Sequence, residues 1–405
     1  MANLAENKNK DDKMTKLAVG AGLATAAAFG AAWVNNRSRS VGREGPPALL
    51  DWEKARTMAH RMNPEPGATA AWHQEWNTYY RNLVGRAVPL IEDYTQTKLP
   101  RTLDTASAVS RSEWVDANIS SFKELFEPIE RLNRNAIQRS SAFSQAVMGG
   151  VNQLLVSSEL GLLLGYLARR VLGQYDMSLF GKEVIPTGKV YFVEPNISTI
   201  VHNLGVQGDE FRLWIALHES THAFEFESHP WVRQHFNAIL ERYFTNISDD
   251  LTSLSRSGGL GGFIQRVRQN NDPGSAWLER IMTPEQRVMF NQLQALMSII
   301  EGYSNHVMNA VGQHLMPSYA EIKHKVESRQ KNRGIADQIF ARLTGLNLKM
   351  EQYRLGEIFV DEVVKQKGIV FANQMWERAE YVPTLDEIKN PSLWVRRLES
   401  VGAVA

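Results

Sequence analysis

Apolar residues recur at spacings of three and four over 70–98, 112–132 and 143–172, which is the repeat of one face of an α-helix. The chain from about residue 49 to 175 is therefore expected to be helical, punctuated by Pro100, Pro128 and Pro195. Within the third stretch the run Leu160 to Leu164 is almost wholly apolar and predicts a helix buried on every side. Arg169 and Arg170 argue against that helix crossing a membrane. One segment breaks the pattern. Lys189-Val-Tyr-Phe-Val193 is β-branched and aromatic, lies between Gly188 and Pro195, and reads as a strand. Helices resume after residue 205, and a Gly/Ser/Asn-rich stretch at 255–275 is expected to be a linker or a flap. The pattern thus predicts a mainly α domain over 49–405 with a short β element.

Residues 1–48 read differently. A polar, lysine-rich start runs into an uncharged Ala/Gly-rich segment at 17–34, and Arg37, Arg39 and Arg43 follow in a solvated linker. Eighteen uncharged residues are at the short end of what spans a hydrocarbon core, about 17 to 25. The segment is expected to be an apolar leader, either membrane anchor or secretory signal, or else a weakly helical tail. Location is accordingly cytoplasmic, or membrane-associated through 17–34.

Composition narrows the chemistry. The chain has 405 residues and no cysteine, which removes thiolate metal sites, redox pairs and cysteine nucleophiles together. Any metal must be held by His, Asp or Glu. With 45 basic against 44 acidic residues the net charge is +1, so there is no basic field to draw in a phosphate backbone, and nucleic acid is not an expected partner.

The decisive segment is Phe211-Arg-Leu-Trp-Ile-Ala-Leu-His-Glu-Ser-Thr-His-Ala-Phe224, with Asp209 upstream as a helix cap. It contains H-E-x-x-H at 218–222. On a helix the spacing of four puts His218 and His222 one turn apart on one face, so both imidazoles can reach one cation, with Glu219 beside them. Zinc accepts neutral imidazole, keeps a position open for water in catalytic sites, and lowers that water's pKa towards about 7. A carboxylate at hydrogen-bond reach then serves as general base, the role expected of Glu219. The apolar neighbours Leu213 to Leu217 bury this helix, where two imidazoles and a carboxylate are costly unless paired or ligating.

Two imidazoles leave a catalytic zinc one protein ligand short. The extended pattern with a third His fails, because Glu225 and Ser228 occupy its remaining places. In the helical stretch 287–315, Leu293, Met297, Glu301, Ser304 and Met308 share one face, and a carboxylate centred in an apolar stripe asks for a partner. Glu301 is the expected third ligand, in the manner of gluzincins, with Asn305 one turn on to orient a ligand His. His229, His306 and Glu225 compete for the place. A rival reading pairs Glu219-x-x-His222 with Glu321-x-x-His324 in a di-iron or di-manganese helical-bundle oxidoreductase. His218 would then be redundant, and the polar surroundings of Glu321 place it at the surface. A third reading is a catalytically silent scaffold that keeps a structural zinc.

Several blocks in order give the chain a family likeness: Asp51-Trp-Glu53, Leu160-Gly-Leu-Leu-Leu-Gly165, Val171-Leu-Gly-Gln-Tyr-Asp176, Phe192-Val-Glu-Pro-Asn196, the H-E-x-x-H helix with Pro230-Trp231, Glu301-Gly302 with Val307-Met308, Gln352-Tyr353 with Gly356 and Phe359, and Pro383-Thr384. From Trp52 to Trp394 the chain resembles the bacterial zincin-like metallopeptidases of type 2, also labelled zinc-dependent metalloproteases or deazaflavin-coenzyme-biosynthesis-associated proteins. The resemblance implies a mostly helical zincin-like fold, a Zn2+ cofactor and peptidase activity on a peptide or protein substrate. Where its relatives favour Asp, this chain has Asn305 and Asn309. Zincins commonly run an edge strand along the cleft, a place the strand at 189–193 would suit. Within the Gln352-Tyr353 block, Tyr353 is the candidate donor to the tetrahedral oxyanion.

Overall fold

The computed structural model describes residues 50–65, 67–99, 105–138, 151–175, 189–256, 282–331 and 346–402. Its architecture is mainly helical around a small three-stranded sheet. Helix α1 (Trp52–Met62) is capped by the Asp51 side chain, and α2 (Ala70–Thr95) by Thr69. Strand β1 (Thr105–Val109) leads into α3 (Arg111–Gln138), whose start is closed by reciprocal bonds between Ser110 and Glu113, the capping-box logic. Helix α4 (Val151–Ala168), β2 (Gly173–Tyr175), β3 (Lys189–Val193) and α5 (Glu194–Leu204) follow. The motif helix is α6 (Gly208–Glu227), then come α7 (Pro230–Arg256), α8 (Pro284–Leu315), α9 (Tyr319–Lys331) and α10 (Leu346–Lys367). Three shorter helices, α11 (Ile369–Ala372), α12 (Leu385–Lys389) and α13 (Pro391–Gly402), complete the described chain.

The strand expected at 189–193 is present, but it is not an edge. It lies between β1, to which it is parallel, and β2, to which it is antiparallel. Alternation then splits its side chains. Val190 and Phe192 enter the main core with Tyr80, which stacks on Phe192 at 4.0 Å, while Val193 joins a smaller core of Val109, Trp114, Ile119 and Leu164. Among the described residues it is β2 that forms the outer strand beside the motif helix. Neither β1 nor β2 is visible in the hydrophobic pattern, since β1 is Thr-Ala-Ser-Ala-Val and β2 has three residues.

Other expectations change as well. Helix α3 continues through Pro128, at the cost of one backbone hydrogen bond. Helix α4 is not buried on every side: Leu164 is enclosed, yet Leu162 is 45% exposed, since the helix has cover on one face only. The stretch 257–275 lies outside the described residues, as does the segment 17–34. No helix among the described residues is long and apolar enough to cross a membrane. The expected membrane association is corrected to that extent: the described chain supplies no span, and Ala and Gly make 17–34 only mildly apolar.

Helix α8 is long because its start is well made, with Pro284 in the first turn and a capping box between Thr283 and Gln286. It crosses α10 in backbone contact. A Cβ on Gly356 would lie 1.9 Å from the Ser298 carbonyl oxygen, and one on Gly302 would lie 2.3 Å from the Gly356 carbonyl carbon. Only two glycines allow this crossing, and Glu301 is the residue before one of them. Gly356→Ala should therefore lower the unfolding free energy by about 1–3 kcal/mol through overpacking. Gly85→Ala is the control: Gly85 is in α2 with nothing within 4 Å of an added Cβ, so alanine there should stabilise by about 0.5–1 kcal/mol. Urea midpoints of the two variants measure both.

Candidate functional site

Sixteen of the twenty residues of α6 are buried, so its polar groups must be answered by other elements. The cap is not Asp209. Gln207 accepts from the Asp209 backbone N–H, and the Asp209 carboxylate instead accepts from the Tyr79 hydroxyl at 2.6 Å. One turn into the helix, Arg212 pairs with buried Glu194, its Nε 3.1 Å from Oε2, while Tyr80 donates to the same carboxylate and Trp76 lies 4.8 Å beneath the guanidinium. This network fixes the start of α6 against α2 and α5. The far end stops at Ser228, ahead of Pro230.

Between these anchors, His218 and His222 stand one turn apart with ring centroids 4.7 Å from each other. Helices α6 and α8 bring Glu301 to them: one ligand atom from each of His218, His222 and Glu301 lies within 4.8 Å of the other two. The Glu301 Oε2 to His218 Nε2 distance is 3.7 Å, beyond hydrogen-bond reach and close to the roughly 3.4 Å that separates two ligands of a tetrahedral zinc at about 2.0–2.1 Å. His218 Nδ1 is buried without a hydrogen-bond partner. His222 Nδ1 is 2.8 Å from Glu225 Oε2 and 3.0 Å from Ser304 Oγ, which leaves Nε2 for the cluster. An all-nitrogen-and-oxygen set of two imidazoles and one carboxylate fits a divalent zinc-type ion.

Glu219 is 7% exposed and held by the outer strand. Its carboxylate accepts from the Tyr175 backbone N–H, and a Cβ on Gly173 would lie 2.5 Å from its Cγ. Any side chain at 173 would therefore have to displace the Glu219 carboxylate. Gln174, on the opposite face of β2, accepts from Trp114 Nε1 at 2.8 Å, while on the Gly173 face the Tyr175 hydroxyl donates to Glu227 at 2.5 Å. Burial pushes the Glu219 carboxyl above its ordinary value, against the pull of His218 and His222. Burial works against charge on His222, but the Glu225 carboxylate outweighs it and raises the imidazole to about 9; Glu225 itself is pushed by burial up to about 7.

The competing donors are sorted by position. His306 has both ring nitrogens committed, to Tyr94 Oη and to Asp361 Oδ1, each at 2.6 Å. His229 stacks on Trp376 at 6.2 Å and takes no part in the cluster. Ser304, not Asn305, makes the contact to His222, three residues after Glu301 rather than four. Asn309 bridges Tyr319 and Glu357, a place where a second carboxylate would face Glu357. Glu321 pairs with Lys325 at 2.5 Å, and no second metal-ligating group gathers among the described residues, so they assemble no dinuclear site. Tyr353 belongs to α10, but its side chain lies outside the described residues. Gly173 and Ser304 were not singled out by the sequence: Gly173 appears only inside its block, and Ser304 only as one position of the apolar stripe around Glu301.

Two imidazoles and a carboxylate converge from buried helices, with a further carboxylate held beside them, a donor set of the kind a metallohydrolase uses. The chain belongs to the zincin-like metallopeptidase family, whose profile matches residues 50–395. It is also similar to a protein from Chloroflexus aurantiacus whose crystal structure is described as that of a candidate hydrolase with a novel fold: 40% identity, 86% of this chain and 99% of that chain covered, and a TM-score of 0.63. No curated protein matches. The family implies a metal, typically zinc, and supports hydrolase chemistry; the match carries no link to deazaflavin coenzyme.

His229 provides a pH signature. Burial holds its imidazole down to about 4, against about 6.5 in the unfolded chain, so between these values the unfolded state binds more protons. Stability should therefore fall as pH drops from about 6.5 towards 4, with no contribution above that window. His229→Asn should lose up to about one proton of this slope, measured as the difference in unfolding free energy between the two proteins across pH 4 to 7.

Proposed function

We propose that the chain is a zinc-dependent metallopeptidase acting on a peptide or protein substrate. The observation that carries this reading is the convergence of His218, His222 and Glu301 within 4.8 Å, with the buried Glu219 carboxylate on the same helix. Zinc bound by those three residues would polarise the scissile carbonyl and acidify the attacking water. The work of this chain's own residues is proton handling. Glu219 takes a proton from the water as the new C–O bond forms, then gives it to the leaving nitrogen as the C–N bond breaks. Burial, which pushes its pKa up, suits a group that must both accept and return a proton near neutrality. Gly173 and the Tyr175 N–H hold that carboxylate in place. Tyr353 is retained as the proposed donor to the oxyanion, resting on its sequence block alone.

Glu219→Gln should keep zinc content near wild type and abolish hydrolysis of a peptide library, because the amide keeps the shape but accepts no proton. Glu301→Ala should lower zinc content and activity together, read by stoichiometry after dialysis with His229→Ala and His306→Ala alongside. Retained zinc in the first with loss in either of the others would place the third ligand elsewhere. Zinc bound at about one per chain without chelator-sensitive cleavage by the wild type would favour the silent scaffold.

For Tyr353→Phe, a fall in kcat of about a hundredfold or more is expected, the usual effect of removing an oxyanion donor. A change of only a few-fold in kcat would remove Tyr353 from the reaction.

A further inference from the structure

One buried carboxylate beside the site has no part in the proton transfer. Glu225 is 1% exposed, three residues after His222 on α6. A carboxylate is costly to bury unless it is paired. Both of its hydrogen-bonded partners belong to the site: Oε2 is 2.8 Å from His222 Nδ1, and Oε1 accepts from the Ser304 hydroxyl at 3.0 Å. Ser304 is fully buried, sits one turn after Glu301 on α8, and lies 3.0 Å from His222 Nδ1 as well. The three groups close a triangle.

That triangle has one consistent protonation pattern when the imidazole ligates. A neutral imidazole has one N–H and one lone pair, and a carboxylate only accepts. The hydrogen must then be on Nδ1 and the lone pair on Nε2, the nitrogen turned to His218 and Glu301. Ser304 has a single hydrogen, which goes to Oε1, so its oxygen can only receive from Nδ1. We propose that Glu225 and Ser304 are positioning residues that fix the tautomer and ring plane of His222 as a metal ligand. Ser304 also ties that ring to the helix that supplies Glu301, so the two ligands are set relative to each other. The effective pattern on the motif helix is H-E-x-x-H-x-x-E, in which the i,i+3 spacing places the orienting carboxylate next to the ligand it orients. The inference rests on the metal-site reading above and adds to it the layer behind the ligands.

Outer partners of this kind contribute about 10–100-fold in metal affinity. The test is the zinc Kd by chelator competition for the full chain, for Glu225→Ala, Glu225→Gln and Ser304→Ala. Visible absorption of the cobalt-loaded proteins and the melting temperature of the metal-stripped proteins are measured beside it. Glu225→Ala should bind zinc about 10–100-fold more weakly and alter the cobalt spectrum, while its stripped form still folds. Ser304→Ala should show a smaller loss in the same direction. Glu225→Gln should recover most of the affinity, because its amide oxygen still accepts from Nδ1 while its NH2 can donate to Ser304. Wild-type affinity in both alanine variants would overturn the proposal, as would a glutamine variant no better than alanine. Should Glu225→Ala fail to fold, Ser304→Ala and Glu225→Gln decide by the same measures. A wild-type chain that binds no zinc is a separate outcome, which sinks the metal-site reading itself.

Discussion

Burying α6 on nearly every side obliges other elements to answer five ionisable side chains along it: Arg212, Glu219, His222, Glu225 and Glu227. Each unanswered charge in that position would cost several kcal/mol. Glu194 and Tyr80 answer Arg212, the outer strand answers Glu219 and Glu227, and Ser304 joins His222 and Glu225. The contacts come from α2, α5, β2 and α8, so satisfying one helix fixes the places of four other elements. A fold organised by polar satisfaction in this way has little freedom in register, because sliding any partner by one residue strands a buried charge.

The same constraint explains which parts of the site could be read from sequence. His218, Glu219 and His222 are local, four residues end to end, and a helical period is enough to put them on one face. Glu301 was legible because a lone carboxylate in an apolar stripe is an anomaly that needs a partner. Ser304 and Gly173 are not anomalies. A serine on an apolar face and a glycine near a strand are common, and their roles exist only after α8 and β2 have been brought to α6. Asn305 and Asp209 failed for a related reason: the ideal helical spacing and the commonest capping residue were sound choices, overridden by which neighbour was present. The strand at 189–193 was legible from β-branched and aromatic content, whereas its central place in the sheet was not, since β1 is built of small residues that carry no strand signal.

The two glycines where α8 meets α10 extend the argument from charge to shape. Backbones that approach this closely leave no room for side chains, so the crossing point is fixed to within a residue. Because Glu301 adjoins that point and Ser304 follows one turn later, the crossing sets the depth at which α8 presents both to the motif helix. A ligand on a loop would need its own restraints. Here the restraint is the packing of two long helices, which is the condition for holding a metal-ligand constellation to within about half an ångström.

The proposed ligands and the proposed base are nonetheless held by different means. His218, His222 and Glu301 depend on the packing of α6 against α8, whereas the Glu219 carboxylate is set by β2, through one backbone N–H and the bare face of Gly173. A three-residue strand has few bonds of its own, and β2 keeps its position because Trp114 grips Gln174 on one face and Glu227 grips Tyr175 on the other. Loosening either grip would move the carboxylate without moving the proposed metal ligands. Proton transfer depends steeply on such placement, and metal affinity depends on it hardly at all. On the proposed reading, the helices govern whether the site binds an ion, and the small sheet governs whether a bound ion is put to use.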